Sequence, residues 1–325
     1  MGCPLYLAEI APSSLRGFFV GSFQLQVGIG VLLAFATGAT GHHLVKNGMY
    51  WKVCLGLGAL PAGFLLLLLK FMAPTPRWLA DRHRWREADQ AADRLGFTAA
   101  EWPRNQTSNP TEWGSLHRER LFSRKYLRPL LLATSIAVFN QLSGVNIILL
   151  YLLDVLSNAG LNELLSHRYT VLISGFSLVI TLLSMKFVDK FGRKPLLLGG
   201  SLGMAISLFS LGLFIPYHTK PIWYLVILVT YNGFFAFSQG TIIWIYLSEL
   251  FPFGVRGPGQ GYGTTVHWVA NATLVLVFPV LQRAGPTKGF YIFAAMMVLQ
   301  IAVILFWYPE TSGNDLGVLS QNPSL

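Results

Sequence analysis

Tyr6-Leu7-Ala8-Glu9-Ile10-Ala11-Pro12-Ser13-Ser14-Leu15-Arg16-Gly17 returns later in the chain as Tyr246-Leu247-Ser248-Glu249-Leu250-Phe251-Pro252-Phe253-Gly254-Val255-Arg256-Gly257. Tyr, Leu, Glu, Pro, Arg and Gly stand at the same six positions, 240 residues apart. Each copy leads into a long apolar run. A second echo follows at nearly the same spacing. Ala73-Pro74-Thr75-Pro76 follows the second run after copy one, and Pro309-Glu310-Thr311 follows the second run after copy two. Self-similarity at a fixed offset marks a duplicated structural unit.

The surrounding composition says what that unit is made of. Of 325 residues, 53% are hydrophobic and only 12% are charged, against about 25% charged in a soluble domain. Mean hydropathy is +0.51. Eight runs reach or approach the roughly 20 apolar residues that a membrane span needs. They are 17–40, 51–72, 129–153, 169–187, 195–217, 221–248, 257–282 and 289–309. None contains Asp or Glu, and their basic residues, Lys52, Lys70 and Lys186, lie near the ends, where lysine snorkels to the headgroups. The chain is therefore an all-α membrane protein. Its net charge of +10 does not point to nucleic acid, because the basic residues fall between apolar runs. Cys3 and Cys54 make neither a disulfide framework nor a metal site. Residues 1–10 lack the basic n-region of a secretory signal.

Charge then orients the spans. Segment 77–128 carries Arg77, Arg82, Arg84, Arg86, Arg94, Arg104, Arg118, Arg120, Arg124, Lys125 and Arg128, so it is predicted to be cytoplasmic. Alternation puts residues 9–16, 188–194, 249–256 and the C-terminus on the same side. Arg16, Lys186, Lys190, Arg193, Lys194 and Arg256 agree with this. Four regions follow: 1–72, the rest of an N-terminal half; 73–128, a cytoplasmic linker; 129–309, a six-span half; and 310–325, a cytoplasmic tail. Within the linker, 80–97 mixes charge with Ala, Leu and Trp at helical spacing and predicts one or two short amphipathic helices. Asn105 opens a glycosylation sequon that cytoplasmic placement leaves unused.

Parallel repeats of six spans are the signature of major facilitator transporters. Copy two is preceded in its half by four spans, copy one by only a few residues. By symmetry about 115 residues are expected upstream, and the fold expected is a major facilitator with spans 5–12 and the end of span 4. Further motifs make the chain resemble the sugar porter family, which includes facilitative glucose transporters and sugar–proton symporters. They are Pro4-Leu5-Tyr6-Leu7-Ala8-Glu9, Pro76-Arg77-Trp78-Leu79, Gln141-Leu142-Ser143-Gly144-Val145-Asn146, Asp189-Lys190-Phe191-Gly192-Arg193-Lys194, Glu249 to Arg256-Gly257, and Pro309-Glu310-Thr311. The resemblance implies a multi-pass cell-membrane protein, embedded in the bilayer, that moves a monosaccharide by alternating access, as uniporter or with a proton.

A sugar site needs amides and aromatic faces lining a cavity at mid-membrane, since polar side chains in lipid are costly elsewhere. The resemblance carries sugar-binding roles onto Gln24, Asn140, Gln141, Asn146, Trp244, Trp268 and Asn271. Gln141 and Asn146 are five apart and do not share a face of a straight helix, so a break at Ser143-Gly144 is needed to bring both to one cavity. His267 stands where relatives often have an amide and is a candidate for hydrogen-bonding sugar or sensing pH. Ser177 replaces a common Asn. Ser238-Gln239-Gly240-Thr241-Ile242-Ile243 lacks the prolines with which many relatives bend the tenth span. Glu9, Arg16, Asp189, Arg193, Glu249 and Arg256 lie at cytoplasmic span ends. They are expected to form exposed, weak pairs that latch the inside closed and part on opening.

Two other readings stay open: a truncated remnant that does not transport, and a porter of another small organic solute. No Ser/His/Asp grouping, metal-ligand cluster or phosphate loop suggests an enzyme, and no cofactor is expected.

Overall fold

The computed structural model describes residues 2–11, 15–44, 49–98, 102, 120–158, 160–215, 220–252, 255–285 and 287–311. Among them every regular element is a helix. In chain order these are α1 Gly2–Ile10, α2 Arg16–Leu44, α3 Tyr50–Leu68, α4 Pro76–Asp81, α5 Trp85–Arg94, α6 Leu127–Leu142, α7 Val145–Leu150, α8 Leu152–Asn158, α9 Glu163–Phe191, α10 Arg193–Phe214, α11 Pro221–Phe237, α12 Gln239–Glu249, α13 Arg256–Ala284 and α14 Lys288–Trp307. Short helical turns at Leu69–Phe71 and Arg124–Tyr126 extend two of them.

Among the described residues eight helical segments are long and apolar enough to cross a membrane, in the places that hydropathy predicts. Apolar side chains cover their outer faces. No described residue of α3 is buried, as suits a helix whose solvent is hydrocarbon. The C-terminal spans are bound by close pairs: α10 packs on α14 and α11, and α6 on α13. The N-terminal part meets them through α2, which lies against α9 and α12. The linker helices form a small core of their own from Leu79, Ala80, Ala88, Ala92 and Trp102. Trp102 Nε1 donates to Asp89 at 2.8 Å and ties the end of that segment to α5. Of these helices α5 lies wholly within 80–97, whereas α4 begins earlier, at Pro76. Segment 103–119, with Arg104, Asn105 and Arg118, lies outside the described residues.

Two spans are broken, one where a break is expected and one where none is. The run 129–153 becomes α6, α7 and α8, and it continues to Asn158. The first break is at Gly144, whose φ of 82° suits only glycine. An added Cβ there would also overlap the Phe293 ring. The run 221–248 breaks at Ser238 (φ −120°, ψ −91°) without any proline. The physical reason is that side chains bond the carbonyls around the break. Ser184 Oγ donates to Phe237 O at 2.7 Å, Ser238 Oγ to Phe234 O at 2.7 Å, and Thr241 Oγ1 to Ala236 O at 3.4 Å. Hydroxyls that take over freed backbone groups are what makes a bent helix tolerable inside a membrane.

The two breaks also hold each other. Tyr231 on α11 donates to the Ser143 carbonyl at 2.8 Å. Asn140 on α6 donates through Nδ2 to the Gln239 carbonyl at 3.2 Å. Gly200 and Gly203 let α10 approach this region closely, because a methyl at either would overlap Ser238 or Phe234. Behind the second break lies a buried amide cluster. Gln239 Nε2 donates to Gln300 Oε1 at 2.6 Å, and Ser201 Oγ donates to the same oxygen at 3.2 Å.

The sequence repeat has a structural counterpart at one end of the bundle. Tyr6 O–H donates to Ala73 O at 3.0 Å, and Tyr246 O–H to Pro309 O at 3.1 Å. Thr75 Oγ1 donates to Glu9 Oε2 at 2.6 Å, and Thr311 Oγ1 to Glu249 Oε2 at 2.6 Å. In each copy the repeated Tyr and Glu thus engage the segment that follows the second span after it. Thr75 also caps α4 by accepting from the Trp78 backbone N–H at 3.1 Å.

Candidate functional site

A cavity of about 120 Å³ lies where α2 meets α6, α7, α9, α11, α12 and α13. The break at Ser143–Gly144 turns α7 so that Asn146 reaches the same space as Asn140. The break at Ser238 sets the direction of α12, which carries Trp244. Of the residues singled out in the sequence, Gln24, Asn140, Asn146, Trp244, His267 and Trp268 line this cavity. Gln141 and Asn271 do not line it; they stand behind it, joined to its wall by hydrogen bonds. Ser177 is a lining residue as well. Lining residues that the sequence reading passed over are Phe23, Ser174, Thr181 and Asn232. The signal for the last three was available, since each is a polar residue inside an apolar run.

The wall is bonded between α2 and α12. Trp244 Nε1 donates to Gln24 Oε1 at 2.9 Å. Phe23 meets the Trp244 ring edge-on at 4.8 Å between centroids. His267 lies between the two indoles, 5.2 Å from Trp244 and 5.1 Å from Trp268. Asn146 Nδ2 and Asn271 Nδ2 both donate to Gln141 Oε1, at 2.8 and 2.9 Å. Among the described residues, no Asp, Glu, Lys or Arg lines the cavity. Its chemistry is that of neutral amides, hydroxyls, an imidazole and aromatic faces, which suits an uncharged polar solute with an apolar side.

The family profile of the sugar (and other) transporters matches residues 1–321. The chain belongs to this family. As a sugar transporter family member it is a multi-pass membrane protein of the major facilitator fold, not an enzyme. It is 30% identical over 325 residues to the D-xylose-proton symporter of Escherichia coli strain K12, covering 96% of this chain and 66% of that one. Its structure is similar to that of the proton:xylose symporter XylE bound to 6-bromo-6-deoxy-D-glucose. There the TM-score is 0.86 at 27% identity, over 96% of this chain and 68% of the other. Against the inward-open conformation of XylE from E. coli the TM-score is 0.69 at 28% identity, over 96% and 67% of the two chains. The chain thus spans about two thirds of the length of these relatives.

The charged end of this transporter-family bundle differs from the expected set of exposed pairs. Arg193 is buried, 3% exposed. It meets Asp189 at 3.0 Å and Glu249 at 2.8 Å, and the Glu249 side chain is only 9% exposed. The reason is packing: the start of α10 lies beneath the end of α12 and the Pro309–Thr311 segment. Glu310 caps α10, accepting from the backbone N–H of Arg193 and Lys194 at 2.9 Å each. A carboxylate there also faces the positive end of the helix dipole. Glu9 is engaged by Thr75. Arg256 is buried, and its Nε donates to Phe251 O at 3.2 Å. The side chain of Arg16 lies outside the described residues.

Proposed function

We propose that this protein carries a monosaccharide, a hexose or pentose, across the membrane by alternating access. One observation carries the reading. The uncharged, amide- and indole-lined cavity sits at the junction of α2 with the C-terminal spans, and Trp244 reaches across it to Gln24. Sugar hydroxyls exchange donors and acceptors with Asn140, Asn146, Gln24 and His267, and Asn271 stands behind them. The indoles of Trp244 and Trp268 cover the ring's C–H face. The names of the relatives support sugar as the class of solute and a proton as the co-transported ion. Among the described residues, none that lines the cavity is a carboxylate that could take up that proton.

The end bearing Glu9, Asp189, Arg193, Glu249, Arg256 and Glu310 is the cytoplasmic end, together with linker 73–128 and tail 310–325. Residues 1–72 act as part of one six-span half and 129–309 as the other. The charged cluster is the latch that holds that end closed. Its formed ion pairs accord with the higher likeness to the sugar-bound structure than to the inward-open one.

The test is counterflow of labelled D-glucose and D-xylose in proteoliposomes of the purified protein. Saturable exchange that Trp244→Ala abolishes is expected. Binding of either sugar without exchange would leave a sugar-binding remnant in place of a transporter. Binding of neither, with exchange of some other organic solute, would overturn the sugar reading.

A further inference from the structure

The polar face of α13 does not end at the cavity. His267 lines the cavity, and Thr264 and Gln260 follow on the same face of the helix toward its Arg256 end. From His267 to Gln260 the helix advances about 10 Å. Neither Thr264 nor Gln260 lines the cavity, and both are buried, at 3% and 2% exposure. Thr264 Oγ1 donates to the Gln260 carbonyl at 2.7 Å, which leaves its lone pairs to accept. The Gln260 amide is different: neither Oε1 nor Nε2 has a hydrogen-bond partner among the described residues. An amide buried in this way weakens the conformation that buries it, where an apolar residue would strengthen it.

The neighbours show where the amide points. Tyr262 is nearly opposite Gln260 around the helix and turns to α6, where its O–H meets Thr134 Oγ1 at 2.8 Å. Gly259 and Gly263 lie flush against Phe251 and Leu247, since a methyl at either would overlap those side chains. Gly257 has Leu5 of α1 at 3.8 Å. Gln260 therefore faces the seam between α1 and the C-terminal spans, which continues the junction that holds the cavity.

We propose that Gln260 and Thr264 form a second solute site, below the cavity toward the Arg256 end, covered in this conformation and uncovered when the seam opens. A sugar leaving the cavity passes from His267 to the Gln260 amide, which offers both donors and an acceptor, with Thr264 Oγ1 as a further acceptor. This rests on the sugar reading above.

Thiol labelling in proteoliposomes tests it, on the full chain carrying Cys3→Ser and Cys54→Ser. Gln260→Cys, Thr264→Cys and, at the mouth of the same seam, Leu5→Cys are each treated on both sides with a charged, membrane-impermeant methanethiosulfonate. All three should react. Saturating D-glucose or D-xylose should slow the reaction of Gln260→Cys and Thr264→Cys by about tenfold or more, and that of Leu5→Cys clearly less. Equal protection at all three would mean that sugar merely closes the seam. No reaction at positions 260 and 264 would mean that they stay buried throughout the cycle. Either result overturns the site. Thermal unfolding in detergent gives a second reading, free of sugar. Gln260→Met keeps the shape and removes the buried amide, so Tm should stay or rise; a clear fall would make Gln260 a structural group and overturn the site too. Wild type that exchanges neither sugar overturns the sugar reading and this site with it. Wild type that exchanges sugar, together with any of the other adverse results, overturns the site alone.

Discussion

The backbone of Gly17 lies flush against the carboxylate of Asp189, so that a methyl group at Gly17 would overlap both carboxylate oxygens. Gly17 is in the first turn of α2, where backbone N–H groups favour an anion. Asp189 is near the end of α9 and is also held by Arg193 at 3.0 Å. The repeat partner, Gly257, has Leu5 Cδ2 at 3.8 Å, an ordinary contact. In a helix interior Gly→Ala normally gains about 0.5–1 kcal/mol. Gly257→Ala should therefore be neutral or mildly stabilising. Gly17→Ala should lower thermal stability by displacing Asp189 from α2. Unfolding of the two variants side by side in detergent checks this, and equal effects would show that the contact is slack.

Arg193 and Glu249 form a buried pair, so breaking it from one side should be costly. Glu249→Leu alone leaves a buried guanidinium short of one partner, and a loss of about 3–5 kcal/mol is expected. Replacing both, with Arg193→Met and Glu249→Leu, should recover much of that stability. Transport should not recover with it, if the pair must form and part in each cycle. Denaturant unfolding read beside counterflow separates the two effects.

The hydroxyls of Thr75 and Thr311 perform the same task in the two halves. Each donates to an ionised carboxylate, a bond worth about 1.5–3 kcal/mol. Thr75→Val and Thr311→Val should each cost a loss of that order, and the double variant should cost their sum, because the sites share no partner. A clear departure from additivity would mean that the two grips communicate.

In the amide cluster behind the Ser238 break, Gln239 Oε1 and Gln300 Nε2 have no hydrogen-bond partner among the described residues. Gln239→Leu or Gln300→Leu alone should cost about 1–3 kcal/mol, since each orphans one more buried group. Both together should cost less than either. Thermal unfolding of the three variants decides it, and a double variant worse than both singles would mean that the cluster itself holds the bend.

What the sequence made legible follows from how local each cause is. Span positions come from hydropathy, which is a property of one segment at a time, and they hold. The break at Ser143–Gly144 was readable because glycine is the local signal for a positive φ. The break at Ser238 was not, because its cause is distributed. Ser184 belongs to α9, Gly200 to α10 and Thr241 to α12, and no single segment announces them. The start of α9 at Glu163, earlier than hydropathy suggests, comes from the Asn162 side chain capping Leu165 N at 2.8 Å. The candidate site shows the same division. That amides and indoles would gather near one cavity could be inferred residue by residue. Which amide faces the cavity and which stands behind it depends on hydrogen bonds between α6, α7 and α13, and a list of positions does not contain them. Gln300 escaped notice for want of a motif, although a lone amide in a strongly apolar helix was itself a sign.

The matching grips of Tyr6 with Glu9 and of Tyr246 with Glu249 have a bearing on descent. Counted at the repeat offset, Val27 stands opposite His267, Gly28 opposite Trp268 and Val31 opposite Asn271. The two copies have kept their moorings at the span ends and let the middles part company. Duplication supplied twin frames, and at these three positions the second copy alone carries polar or aromatic side chains.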